Sequence, residues 1–459
     1  MTLLLVVAAA CLGGWGLVDL LWSNPTTRAA EAWLRASIGT LGGLGACSAA
    51  FGGLLLAGQP RSSAAWISGF LLLPLAAASS FIHRLRPRAE PQAKSGALPL
   101  VWMLFFCSGC ALAALLIYEH QRALPDGGWD AWMIWNRRAR FLVRGTLLES
   151  FDHHGDIFES YPLLLPGLIA LGWTQLKTDA LAWPAALSWI GAALCVALLS
   201  SAVALSRGSR RGFAAGLVLV TTPQFVLSAA SQEADLWLAS FVLAAQISLF
   251  HALQLAGAAR LKLLVLAGCL LGLAGWTKNE GALFGIAVTV GLLWRHPAGA
   301  SVKRRVGDAL ALLLGAMPLI ALLLTFEFTY GPANRVFVSP ETLVSKLHRL
   351  VDPARWVQLV PMLLRRLVHF QTWTVGWVAA IAIAIFLWLR GTPFSLVGPA
   401  VRSLVLVGIG FTLVYATSPY DLSWHIGHSA DRLLLQCWPS VLFLLSIAWP
   451  IKLAIQSST

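Results

Sequence analysis

Apolar runs about as long as a bilayer crossing recur from one end of this chain to the other, and nothing else in the sequence constrains the fold as much. A hydrocarbon core of ~30 Å needs about 20 consecutive apolar residues in a helix to span it. Inside it no water satisfies backbone N–H and C=O groups, so a spanning segment must be helical or part of a closed barrel. Of the 459 residues 58% are hydrophobic and only 12% charged, with a mean hydropathy of +0.74, and the long uninterrupted runs select helices. The chain therefore reads as an all-α polytopic membrane protein. A net charge of +13 would suggest nucleic-acid binding in a soluble protein. Here the Lys and Arg residues fall in short clusters between apolar runs, the pattern of cytoplasmic loops, and nucleic acid is excluded as a partner. The opening MTLLLVVAAACLGGWGLVDLLW lacks a basic leader and is not read as a cleaved signal peptide. The seven cysteines lie in apolar runs, with neither metal-ligand spacing nor a disulfide framework.

Taking the basic clusters as inside sets the direction of each crossing. Helices near 1–22, 37–58 and 63–81 come first, with Arg28 and Arg35 between the first two. The basic linker 82–97 is then cytoplasmic, and 1–97 is a three-helix addition ahead of a core at 98–459. The helix 98–118 runs outward to a first outer loop, 119–161. That loop carries roughly a third of the acidic residues and groups Trp129, Trp132 and Trp135 around Asp130. So polar a stretch cannot lie in hydrocarbon, and it reads as the roof of an active site at or above the headgroups. The run 162–176 opens on Pro162 and Pro166 and reads as re-entrant or interfacial. Crossings follow at 180–205, 212–229 and 236–256, and two short ones at 263–277 and 282–295 are joined by TKNEG. After 306–328 comes a second large outer loop, 330–372, and then 373–390, 403–416 and 433–452. This makes about 13 crossings, with short interfacial helices in the outer loops.

The topology gathers the ionisable residues on one face, where groups at membrane depth are costly and usually functional. Asp130, between Trp129 and Trp132, is a candidate general base, since apolar neighbours raise a carboxylate's pKa; the plainer reading is an interfacial ion pair with Arg137 or Arg138. Asp235 opens a helix, where the macrodipole alone favours a carboxylate. Lys278 and Glu280 sit between two short helices, either as a simple turn pair or as a cation held at depth for a phosphate. Arg432 opens the last helix, where a snorkelling arginine is the bland alternative. His425, His428 and Asp431 share a helical spacing that suits substrate contacts as well as a metal. His153, His154, Asp156 and Glu159 are ligand-type residues without the spacing of a specific metal site. No Walker motif and no dinucleotide fingerprint is present.

With these residues in hand the chain resembles the GT-C superfamily of polyprenyl-phosphate-dependent glycosyltransferases, whose bacterial members include the lipid A aminoarabinose transferase and relatives of the protein O-mannosyltransferases. The likeness covers about 98–455. It rests on the acidic and aromatic WDAWMIWNRRARFLVRGTL, on Tyr161-Pro162 opening LLLPGL, on Asp235 in the next outer loop, on Thr277-Lys278 between short helices, and on Arg432 ahead of Pro439. Two departures stand out: Ala131 occupies the place of a second carboxylate after Asp130, and Asn279 and Glu280 separate Lys278 from Gly281.

The resemblance implies transfer of a sugar from a polyprenyl-phosphate donor to a hydroxyl of a lipid, glycan or protein acceptor, with inversion. The site would face outward from a bacterial inner membrane. Asp130 would be the catalytic base. Trp132, Asn136, Tyr161, Asp235, Lys278, Glu280, His428 and Arg432 would bind substrate, with Lys278 and Arg432 on the leaving phosphate. A divalent metal serves some members of the class and not others. Two other readings are an O-antigen ligase or polymerase, with Arg335, Arg349 and Arg355 on a pyrophosphate, and a lipid-linked sugar transporter.

Overall fold

The computed structural model describes residues 1–22, 28–85, 99–145, 161–294, 301–330, 343–389 and 397–449. Among these every regular element is helical: α1 Thr2–Leu21, α2 Ala29–Leu56, α3 Arg61–Phe70, α4 Leu73–Leu85, α5 Leu100–Ala123, a π-helix Ala131–Asn136, α6 Arg137–Arg144 and α7 Leu164–Leu176. There follow α8 Ala182–Arg207, α9 Ser209–Val220, α10 Pro223–Ala230, α11 Asp235–Leu253, α12 Gly257–Thr277, α13 Asn279–Leu293 and α14 Val302–Tyr330. The last are α15 Leu343–Val351, α16 Pro353–Leu367, α17 Phe370–Trp373, α18 Gly376–Leu389, α19 Gly398–Thr417 and α20 Leu422–Ala448.

Among the described residues ten helical spans are long and apolar enough to cross a bilayer, and α9 with α10 makes an eleventh if that bent pair is counted as one. The remaining two of the expected thirteen, α13 and α18, have 15 and 14 residues. At 1.5 Å per residue each covers only about 22 Å, short of a ~30 Å core. The expected helix 212–229 bends by 65° between α9 and α10, where Pro223 starts the second half. The third span likewise breaks after Phe70 and resumes at α4, with Pro74 in its first turn.

Three boundaries differ for reasons of tertiary pairing. The second helix begins at Ala29, not near 37, because Arg35 ion-pairs with Asp19 of α1 and needs no loop to reach water. The segment expected as short, 263–277, is the full-length α12. Its first turns take in Arg260, whose guanidinium grips Asp308 of α14 with Nε 2.7 Å from Oδ1. The last helix begins at Leu422, so Arg432 lies in its middle and does not open it. The polar run ahead of Arg432 stays helical because its side chains are satisfied from outside: Asp431 accepts from Arg366 at 3.2 Å and Trp373 Nε1 at 3.1 Å, and Ser429 bonds Tyr415 at 2.7 Å.

The centre of the bundle is α11, which is buried along nearly its whole length. The first three helices join the same continuous apolar core and α4 packs on α1, with α2 laid on α7 and α8 and Ser48 Oγ donating to the Leu164 carbonyl at 2.5 Å. Helices α12 and α14 cross with backbones in contact: a Cβ on Gly268 would lie 1.8 Å from the Leu312 carbonyl oxygen. Small residues at such a crossing give van der Waals packing that lipid cannot match. This fixes the end of α12, and with it Lys278.

Candidate functional site

The end of α5, the starts of α7, α11 and α13, and the end of α12 meet at one end of the bundle. Two short turns are clamped together there. Gly128 N donates to the Ser231 carbonyl at 2.9 Å, and Gln232 Nε2 donates to the Pro125 carbonyl at 3.0 Å. Gln232 adopts φ +59, a left-handed conformation disfavoured without glycine. Strain of this kind costs roughly 1–3 kcal/mol and persists where surrounding contacts over-determine it, often at functional sites. The clamp sets Asp130, the residue capping the π-helix, beside Glu233 and Asp235.

Asp235 is the hub. It is fully buried at the first position of α11, where the helix macrodipole favours a negative charge. Its Oδ1 accepts from Lys278 Nζ at 2.8 Å and Gln436 Nε2 at 2.7 Å, and its Oδ2 accepts from Arg432 Nη2 at 2.7 Å and Nε at 3.0 Å. The other faces of both cations are also occupied. Arg432 Nη1 lies 2.6 Å from Asp130 Oδ2, and its Nε lies 3.3 Å from Glu233 Oε2. Lys278 Nζ is 3.2 Å from Glu280 Oε1 and 5.4 Å from the centre of the Tyr161 ring.

Lys278 ends α12 and caps α13 in a single extended residue, which is why its side chain can turn inward between α11 and α20. It is buried, whereas the Arg432 side chain keeps 20% of its surface open, so of the two cations Arg432 is the one a ligand can reach. Four carboxylates therefore meet two cations. Burial raises the pKa of Glu233 to about 7, with Arg432 opposing the shift, so this group exchanges a proton near neutrality. Burial also pushes the Tyr161 phenol up to about 12, and it stays protonated. Burial would lower the Lys278 pKa, but Asp235 and Glu280 more than reverse this and hold it charged.

Of the residues expected from the sequence, Asp130, Tyr161, Asp235, Lys278, Glu280 and Arg432 come together. Asp130 is paired with Arg432, not with Arg137 or Arg138. It is not walled by apolar rings: Trp129 and Trp132 are about half exposed and meet edge to face at 6.4 Å. Asn136 is buried in the π-helix, its Nδ2 without a hydrogen-bond partner among the described residues. His428 stands exposed one turn before Arg432, its Nδ1 2.7 Å from the Trp424 carbonyl oxygen. Two members were missed. Glu233 was visible only as one acid in SQEAD. Gln436 did carry a signal, a lone amide four residues after Arg432 in an otherwise apolar run. Asp152, His153, His154, Asp156 and Glu159 lie outside the described residues. Among those described, no group of three His, Cys, Asp or Glu side chains is arranged to hold a metal.

Long apolar helices around a buried acid–base cluster, taken with the comparison to known families, support a membrane glycosyltransferase of the GT-C type. The family model that matches is that of the dolichyl-phosphate-mannose-protein mannosyltransferases, over residues 162–326. The matched segment carries Glu233, Asp235, Lys278 and Glu280, while Asp130 and Arg432 lie to either side of it. No curated relative and no solved structure matches the chain.

Proposed function

We propose that the chain transfers a sugar from a polyprenyl-phosphate donor to an acceptor hydroxyl on the extracytoplasmic face of a bacterial inner membrane, the acceptor being an envelope lipid, glycan or protein. The observation that carries this reading is the ion-paired chain Asp130–Arg432–Asp235–Lys278, which puts a partly exposed cation against a partly exposed carboxylate at one end of the bundle. Sidedness is supported by the opposite end, where Arg207, Arg210, Arg211, Arg260, Lys262, Arg304 and Arg305 cluster at the helix termini.

In the reaction the bond from the anomeric carbon to the phosphate oxygen breaks as the acceptor oxygen attacks from the other face, inverting the centre. The polyprenyl phosphate leaves with the bonding electrons, and Asp130 takes the acceptor proton. Arg432 turns part of its fork to the leaving phosphate, and protonation of Glu233 removes one competing carboxylate as it does so. Lys278 acts through Asp235, neutralising it and fixing its geometry. Donors already oriented before charge develops contribute more than donors that must reorganise. Trp132 and Tyr161 offer ring faces to the sugars, and His428 a polar contact one turn from Arg432.

The ligase alternative needs free arginines for a pyrophosphate, but Arg355 Nη2 is spent on the carbonyls of Tyr415 at 2.8 Å and Ser418 at 2.7 Å, and Arg349 Nε on Thr417 at 3.1 Å. Arg335 lies outside the described residues. A deletion strain tests the proposal by lipid analysis and mass spectrometry of envelope glycans. Accumulation of a polyprenyl monophosphate sugar, with one sugar missing from a lipid, glycan or protein, is expected. Accumulation of a pyrophosphate-linked glycan, or an unchanged covalent inventory, contradicts it.

A further inference from the structure

Helix α6 has two faces. Arg138 reaches the Tyr161 carbonyl on the side of the acid–base cluster. Two residues on, about 200° around the helix, Arg140 points to a different place, as does Arg144 one turn later. Both line a cavity of about 590 Å³ bounded by α6, by the end of α7 and by the turn that leads from α2 into α3.

The charge balance in this cavity is one-sided. Arg61, Arg140, Arg144 and Lys177 line it, against the single acid Asp179. Arg140 Nε stands 3.6 Å from Asp179 Oδ2, and Asp179 is 61% exposed, so water screens that contact. Arg61, Arg144 and Lys177 have no side-chain partner among the described residues. Two further features adjoin the same space. Helix α3 starts at Arg61 with no side-chain cap, and Pro60, Arg61 and Ser62 at its start line the cavity. Thr174 is a lining residue whose Oγ1 is closed off from water and has no hydrogen-bond partner among the described residues. The floor is Trp173, held by its own Nε1 bond to the Ala180 carbonyl at 2.9 Å and covered by Arg140 at 5.4 Å from the ring.

Unpaired cations, an uncapped helix start and an orphaned hydroxyl around one cavity are donors without an acceptor. We propose that this cavity is a second binding site, separate from the acid–base cluster, and that it takes a phosphate-bearing group. Arg61, Arg140, Arg144 and Lys177 supply the charge, while the start of α3 supplies neutral donors. The site spans the N-terminal addition and the core, which gives those first helices a role in ligand binding. A phosphate monoester suits it because planar guanidinium forks and open backbone N–H groups both match its oxygens. The site does not depend on the transfer reaction proposed above, and failure of that reaction would leave the binding prediction standing.

The test uses the full-length protein in phosphatidylcholine nanodiscs. Binding of glucose 1-phosphate is measured by microscale thermophoresis, and retention of phosphatidic acid by native mass spectrometry after it is added to the disc. Each is compared with the triple variant Arg61→Gln, Arg144→Gln, Lys177→Gln. A remote triple variant of equal charge, Lys262→Gln, Lys303→Gln, Arg304→Gln, is the control. All three altered cavity residues are exposed, so the cavity variant should melt with the wild type. Expected is at least a tenfold loss of affinity for one or both probes in the cavity variant and none in the control. Asp179→Asn should tighten binding by releasing Arg140. Binding of the sugar phosphate assigns the cavity to a phosphorylated acceptor or metabolite, and binding of phosphatidic acid alone assigns it to a lipid headgroup. Equal binding of both probes by wild type and cavity variant, or equal losses in the control, overturns the proposal.

Discussion

Replacing Asp235 by Asn is nearly isosteric, yet the geometry around it leaves the amide no workable orientation. Oδ1 accepts from Lys278 and Gln436, and Oδ2 accepts twice from Arg432. An asparagine presents one oxygen and one NH2, so whichever way it turns the NH2 faces donors. Lys278 would keep Glu280 at 3.2 Å, and Arg432 would keep Asp130 at 2.6 Å and Glu233 at 3.3 Å, so the loss is partial. Two charge-assisted hydrogen bonds at ~1.5–3 kcal/mol each give about 3–6 kcal/mol, close to the range for breaking a buried ion pair. At ~2 °C per kcal/mol for a large domain, the unfolding midpoint should fall by roughly 6–12 °C. Tryptophan fluorescence on heating in nanodiscs reads this directly. Asp235→Leu with Lys278→Met should recover part of the loss, because an apolar pair can replace a buried ionic one at little net cost. If Asp235→Asn melts within about 1 °C of wild type, Asp235 is not the hub.

Two further outcomes follow from the same cluster. Glu233 has its folded pKa raised to about 7 by burial, against 4.5 when free. Between these values the folded state binds the extra proton, so stability is full below about pH 4.5 and declines as pH rises through 7. Glu233→Gln should flatten that decline in midpoint-against-pH curves at ~1.4 kcal/mol per pKa unit removed, and an unchanged slope would assign the proton elsewhere. Gly281→Ala should be disruptive, because its Cβ would lie 2.0 Å from the Ala274 carbonyl oxygen and force α13 off α12. Overpacking of this kind costs ~1–3 kcal/mol or more and would shift Lys278, so lower yield and melting midpoint are expected, and wild-type behaviour would contradict the close approach.

Much of this was legible in the sequence because membrane insertion is a local property. The length and apolarity of each run predict a span without knowledge of its neighbours, and the count is least legible at runs of intermediate length such as α13 and α18. Asp130, Asp235, Lys278 and Arg432 could be assigned to one site because alternating crossings bring the ends of α5 and α12 and the start of α11 to one side. The non-local contacts were not legible. Glu233 becomes special only when the turn at Pro125–Gly128 folds over Ser231–Gln232 and buries it. The extra turns of α20 before Arg432 exist because Arg366, Trp373 and Tyr415 satisfy its polar residues, and no window of sequence around 422–432 contains those partners. The expectation of an apolar cage around Asp130 failed for the same reason: its tryptophan neighbours in sequence stand about half exposed, and its ion-pair partner in space is Arg432.

The central claim is that sugar leaves a polyprenyl monophosphate at the Asp130–Arg432 pair. Its most direct test is transfer of a radiolabelled sugar from a synthetic polyprenyl-phosphate donor by purified protein in nanodiscs, for wild type, Asp130→Asn and Arg432→Lys. The side chains of Asp130 and Arg432 are 14% and 20% exposed, so both variants should insert and fold. The account predicts that wild type transfers. It predicts that Asp130→Asn loses about 10²-fold or more, the scale for a positioned general base. It also predicts that Arg432→Lys is impaired because the planar fork is lost while the charge remains. Near-normal transfer by Asp130→Asn would contradict the account.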